Sequence, residues 1–183
     1  MEQEDSYLVV FPIPEPHAHI MRSLMDMVFE YTRIPPPYHD IPPYITIQQP
    51  IPITKKMGVY GAIYTLITHI APCELSTKRF LSYFGETHIA LPVEETARTI
   101  QMKDLIRRAF QGLSEITHED ESIPHTIVGK IFKDKCDTAW DTIQKIPIQE
   151  MTISIKTIEL YKKVATQCIW EKIDEFPLRP RTQ

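Results

Sequence analysis

The chain has 183 residues, 43% of them hydrophobic, with 20 Lys and Arg against 24 Asp and Glu for a net charge of −4. That length and composition suit a globular chain able to bury a substantial core. The acidic balance excludes broad, sequence-blind binding to DNA, which needs clustered Lys and Arg.

The first five residues, Met-Glu-Gln-Glu-Asp, are acidic, the reverse of a signal peptide's basic start. No apolar run approaches the roughly 20 residues of a membrane helix. Cys73, Cys136 and Cys168 are widely spaced and match no CxxC or Cys/His zinc pattern, so they read as reduced thiols. The expectation is a cytoplasmic, monomeric protein with no membrane association, no metal and no cofactor.

Ser6 to Ile13 is a short apolar run rich in β-formers and is predicted as a buried first strand. Pro14 and Pro16 then open a helix, since proline is tolerated in a first turn. Ile20, Leu24, Met27, Val28 and Tyr31 recur at three-to-four spacing, which predicts a buried stripe on that helix. It ends before Pro35-Pro36-Pro37. Tyr44 to Ile53 alternates as a strand, with Pro50 and Pro52 placing its far end at a sheet edge. Thr54 is the predicted cap of a second helix running to about Ile70, weakened by Gly58 and Gly61.

Cys73 to Phe84 and His88 to Val93 read as two strands joined by a turn at Gly85. Glu94 to about Ile116 is predicted helical, burying Leu105, Ile106, Ala109, Phe110 and Leu113. The polar run His118 to Ser122 reads as a solvated loop. Ile123 to Phe132 is a strand entered through Pro124 and carrying His125 at its mouth. A helix over about Lys133 to Lys145 and strands over Met151 to Tyr161 and Ile169 to Phe176 complete the order.

Strands cluster in pairs instead of alternating strictly with helices, so α+β with antiparallel sheets fits better than a doubly wound sheet. Pro42-Pro43-Tyr44-Ile45-Thr46-Ile47 has the same shape as Pro124-His125-Thr126-Ile127-Val128. One such strand in each half points to a duplicated architecture with a site between the halves. No GxGxxG, P-loop, GxSxG or HExxH is present, which removes the common nucleotide and hydrolase fingerprints.

These residues resemble the 2H phosphoesterase superfamily, which includes 2′-5′ RNA ligase-like proteins and cyclic phosphodiesterases. The resemblance covers nearly the whole chain. It rests on the opening strand and helix from Tyr7 to Tyr31, the strand after Pro42-Pro43, the Pro124-His125 strand with Gly129-Lys130, and a closing pattern. That pattern is Thr157-Ile158-Glu159-Leu160-Tyr161 followed by Trp170 and Phe176-Pro177-Leu178. It implies one domain over 1–183, built of two pseudo-symmetric lobes that exchange near the chain ends and around 85–120. Each lobe would be an antiparallel sheet flanked by helices, with a groove between them. The implied ligand is a phosphodiester small molecule or an RNA end.

In that family each lobe supplies a His-x-Thr/Ser motif. Phosphodiester cleavage needs one base and one acid, and imidazole titrates near neutrality. A hydroxyl two residues along a strand shares the histidine's face, where it can donate to phosphate oxygens. This chain departs from both motifs. Tyr44 stands at the first histidine position, with Thr46 keeping the hydroxyl. His125 is present in the second motif, but Ile127 occupies the hydroxyl position and the threonine is Thr126. The resemblance therefore makes His125 the surviving acid/base, and Thr46, Tyr44 and Thr126 the candidate phosphate contacts.

On a regular strand Thr126 points away from His125's face, unless a bulge turns it back. Tyrosine, with a pKa near 10, donates hydrogen bonds well but is a poor base at neutral pH. Impaired catalysis is expected, and a catalytically inactive ligand- or protein-binding module on the same fold is the rival. His39, in the connector just before Tyr44, is the obvious candidate to replace the missing imidazole but reads as an exposed loop residue, and Lys130 reads as a solvated charge. Glu15, His17 and His19 are a poor chelate on one helix. His69, His88 and His118 read as structural or surface residues.

Overall fold

The computed structural model describes residues 6–35, 40–84, 87–113, 124–131, 136–163 and 169–180. The predicted loop 118–122, His39, His118 and Cys168 lie outside them.

The apolar run at the start forms β1 (Ser6–Pro12), whose alternate residues bury on opposite faces. Helix α1 (His17–Thr32) follows Pro16 and stops where Arg33 turns left-handed (φ 56°) and donates its N–H to Phe29 O at 2.8 Å. Its buried stripe is Ala18, Met21, Leu24 and Val28. Ile20, Met27 and Tyr31, expected inside, are exposed. Both stripes pass through Leu24 and Val28, but Ala18 and Met21 complete the same face at 3.6-residue spacing.

The strand β2 (Tyr44–Pro52) leads through a 3₁₀ turn (Ile53–Lys55) into α2 (Lys56–His69). Thr54 therefore lies inside the turn and does not cap the helix. The predicted long strand from Cys73 is two elements. These are β3 (Cys73–Ser76) and β4 (Ser82–Phe84), the latter paired with β5 (His88–Pro92).

Helix α3 (Ala97–Ala109) starts later than Glu94 because Thr96 and Thr99 form a reciprocal cap. Thr96 Oγ1 accepts from Thr99 N at 3.2 Å, and Thr99 Oγ1 accepts from Thr96 N at 2.6 Å. The proline-led strand is β6 (His125–Lys130), followed by α4 (Cys136–Ile143). The predicted strand over Met151–Tyr161 breaks at Lys156 into β7 (Thr152–Ile155) and β8 (Thr157–Lys163), and β9 (Trp170–Pro177) comes last.

This is an α+β fold in which every strand pairing among the described residues is antiparallel. The series β1-α1-β2-α2-β3 recurs as β5-α3-β6-α4-β7. The two halves meet edge to edge in one seven-stranded order, β4-β5-β6-β2-β1-β8-β9, while β3 and β7 pair with each other in a small second sheet. The order is symmetric about the β6–β2 boundary. There β6 answers β2, β5 answers β1 and β4 answers β8. Among the described residues one registered pair, Thr46 with His125, joins β2 to β6 at that boundary.

All four helices bury side chains in the main core against one face of the sheet, through residues such as Val9, Phe11, Ile45, Leu91, Val128 and Leu160. The opposite face carries a smaller cluster of Leu8, Val10, Ile41, Tyr44, Tyr161 and Trp170. Helix α1 crosses to pack on β6. A β-carbon at Gly129 would overlap Val28 Cγ1 and stand 3.4 Å from Val28 Cβ, so glycine sets how closely helix and strand approach.

Gly129→Ala should destabilise the protein by about 1–3 kcal/mol through overpacking. Because Val28→Ala vacates the space that the new methyl needs, the double variant should cost less than the sum of the singles. The shortfall should be at least about 0.5 kcal/mol in urea denaturation. Strict additivity would show that the two side chains do not share that space.

Candidate functional site

Directly opposed residues of an antiparallel pair share a face, with β-carbons about 5 Å apart. Thr46 opposes His125, and Thr46 also lies in register with Val10 of β1, which opposes Glu159 of β8, which opposes Glu175 of β9. One row of side chains therefore crosses the sheet on the face away from the helices: His125, Thr46, Val10, Glu159 and Glu175. Tyr44 lies two residues from Thr46 on the same face, and belongs to the cluster with Val10. Counting two residues in opposite directions from the Thr46–His125 pair sets Tyr44 level with Ile127. At the symmetry boundary, imidazole and hydroxyl thus oppose each other once, and tyrosine and isoleucine hold the two complementary positions.

His125 is 2% exposed, Thr46 6% and Tyr44 5%. Thr46 Oγ1 is buried with no hydrogen-bond partner among the described residues, and His125 Nε2 is buried to the same degree. An unsatisfied buried hydroxyl costs roughly 1–3 kcal/mol, so Thr46 holds donor capacity that the fold itself does not use.

Thr126 does not join them. It opposes Leu91, a member of the helix-side core, and is 1% exposed. The sheet irregularity places an extra residue, Val128, on β6 between Ile127 and Gly129, opposite the adjacent Ala90 and Ile89 of β5. It therefore comes after Thr126 and leaves that side chain on the helix face. Lys130 sits at the far end of β6 opposite His88. His19 donates its backbone N–H to Glu15 Oε2 at 3.1 Å, and Glu15 also pairs with Arg22, so this acid serves the helix start. His69 Nδ1 is 2.8 Å from Thr65 O within α2. Among the described residues, no group of three or more His, Cys, Asp or Glu could hold a metal ion.

The row also contains chemistry that residue-by-residue reading passed over. Glu159, 9% exposed, accepts from Tyr161 Oη at 2.8 Å and from Lys172 Nζ at 2.6 Å, and Lys172 also reaches Glu175 at 2.7 Å. Burial, and then the bond to Glu159, push the Tyr161 phenol well above the ordinary tyrosine range. It stays a protonated donor at neutral pH. The bond to Glu159, followed by that to Glu175, holds the Lys172 ammonium above its ordinary value. The signal was present in Ile158-Glu159-Leu160: a carboxylate alternating with two core residues inside a buried strand.

No protein-family model and no curated protein matches the sequence. Solved structures match over nearly the whole chain. One described only as a phosphoesterase has a TM-score of 0.57 at 11% identity, covering 97% of this chain and 100% of its own. E. coli LigT in its apo form gives 0.57 at 12%, with the same coverage. Kluyveromyces marxianus Usb1 gives 0.52 at 10%, covering 97% and 99%.

Two experiments probe these groups. Lys172→Met strands the largely buried Glu159 charge and should destabilise the protein by about 1–3 kcal/mol. Adding Glu159→Gln should recover most of that loss in chemical denaturation. A second probe is His88, whose imidazole is held below its ordinary value by burial and then by Lys130. The unfolded chain takes up that proton near pH 6.5 while the folded chain resists, so stability should fall as pH drops below about 6.5. In His88→Gln, part of that fall should vanish from the denaturation midpoints measured between pH 7 and pH 5.

The phosphoesterase, LigT and Usb1 are all 2H phosphoesterase superfamily members, and the chain has their fold.

Proposed function

We propose that the chain binds a nucleotide-type phosphodiester, such as an RNA end or a cyclic nucleotide, where its two halves meet. In this reading, catalysis is weakened by the loss of one of two histidines. The single observation behind it is the Thr46–His125 register pair at the symmetry boundary. The pair supplies one imidazole able to exchange a proton and one hydroxyl with an unused donor. E. coli LigT, which shares the fold, has been solved with 3′-AMP, with NADP+ and with ATP, which supports a nucleotide as the ligand class.

His125 is the acid/base of the scheme. Thr46 donates to a phosphate oxygen, and Tyr44, a phenol at the complementary position, adds a second donor. A positioned acid or base is typically worth 10²–10⁴-fold in rate, so turnover should run that far below a two-histidine site. One observation favours the second reading, an inactive ligand- or protein-binding module: His125 is 2% exposed, and a closed imidazole cannot exchange protons with substrate until the face opens.

Thr46→Val removes the unsatisfied hydroxyl. It should raise stability by about 1 kcal/mol while weakening binding of a 2′,3′-cyclic nucleotide at least fivefold by calorimetry. Undiminished affinity would remove Thr46 from the site. Tyr44→His with Ile127→Thr completes both motifs in register and should raise cyclic-phosphodiester hydrolysis by about 10² or more. His125→Ala should abolish whatever turnover the wild type or that variant shows. Turnover indifferent to His125 would overturn the assignment.

A further inference from the structure

The face that carries the Thr46–His125 pair is partly filled by the chain itself. Immediately before β2, Ile41 is buried in the cluster with Leu8, Val10, Tyr44, Tyr161 and Trp170. One residue earlier, the exposed Asp40 accepts the backbone N–H of Trp170 at 2.5 Å through Oδ2. Trp170 opens the edge strand β9, and Lys163 of β8 sits opposite it with Nζ 5.9 Å from the indole centroid. A connecting segment is thus pinned at one point by a carboxylate and at the next by an apolar side chain, across strands far from it in sequence. It then enters Tyr44 and Thr46 directly.

We propose that Asp40–Pro42 is a strap, hinged where Pro43 O accepts the N–H of Ile13 at 3.0 Å, that closes the β1/β8/β9 side of the ligand face, and that a phosphodiester reaches Thr46 and His125 only when the strap lifts. This deepens the functional reading above and rests on it. The arrangement suits a switch. A carboxylate bond to one backbone N–H is strong but local, and the cluster beneath is small beside the main core, so the strap can open without unfolding the sheet. Lifting it would uncover Val10 and Tyr161, which share its cluster, on the face that leads to Thr46. Ligand affinity is then reduced by the fraction of time the strap is closed.

The test uses the full chain and its Asp40→Ala and Asp40→Asn variants. It reads amide hydrogen exchange at Trp170 without ligand, and calorimetric affinity for adenosine 2′,3′-cyclic phosphate. Losing a charge-assisted bond should speed Trp170 exchange about tenfold or more in Asp40→Ala. Affinity should rise by a similar factor. Asp40→Asn keeps an acceptor and should stay within a few fold of wild type in both.

Faster exchange with unchanged or weaker affinity overturns the gating while leaving the ligand site standing. Unchanged exchange in Asp40→Ala overturns the strap. No binding by any of the three proteins overturns the phosphodiester reading, and the gating falls with it. Ile41→Ala, which loosens the same segment by its apolar anchor, should reproduce the Asp40→Ala result and excludes an effect of charge alone.

Discussion

In the main sheet, a single registered pair among the described residues joins the central strands β2 and β6 of the two halves. Helices from both halves cover one face of the combined sheet and share one core, with α1 packed on β6. Thr46 and His125 are the pair registered between β2 and β6, while β3 and β7 join the halves in the small sheet, so the geometry of the central seam depends on the Thr46–His125 register holding. A slip of one residue would send Thr46 to the helix side and bring Ile45 out of the core. The buried positions of Ile45 and Ile47 on one face, and of Tyr44 and Thr46 on the other, oppose any such slip. The core thereby fixes the geometry of the candidate site. Gly129 contributes in the same way, by letting α1 approach β6 closely enough for Val28 to pack.

The site face is polar in a manner that limits what it can do. In the proposed reading His125 is the acid/base of the pair, and Tyr44 and Ile127 stand at the two positions where a second imidazole and a second hydroxyl would complete the symmetry. Farther along the row, Glu159 is neutralised by Lys172 and hydrogen-bonded by Tyr161. That arrangement keeps a carboxylate on the face without leaving its charge unpaired. A ligand extending from His125 toward β9 would cross the small side chain of Val10 before meeting this pair.

Period-two alternation and proline-led strand starts made the main outline legible from sequence. The Tyr44–Thr46 and His125 strands, their place at corresponding points of two halves, and the antiparallel α+β class followed from those patterns and from the family resemblance. Boundaries set by particular contacts were not legible. The Thr96–Thr99 cap moved the start of α3, and a break at Lys156 split one predicted strand between two sheets. On α1, several three-to-four stripes overlapped, and packing on β6 selected the one containing Ala18 and Met21. Within the candidate site, Thr126 stood outside because register, which no single strand reveals, set it opposite Leu91. The Asp40–Trp170 bond links residues 130 positions apart and carries no local signal.

The central claim is that Thr46 and His125 together form the ligand contact at the meeting of the halves. Side-chain nitrogen NMR of the histidines, with backbone amide spectra, recorded during titration with adenosine 2′,3′-cyclic phosphate, addresses it most directly. The account predicts saturable shifts at the His125 ring nitrogens and the Thr46 amide at one common dissociation constant, with His69 and His88 unmoved. Shifts confined to other histidines, or saturation elsewhere with His125 silent, would contradict it.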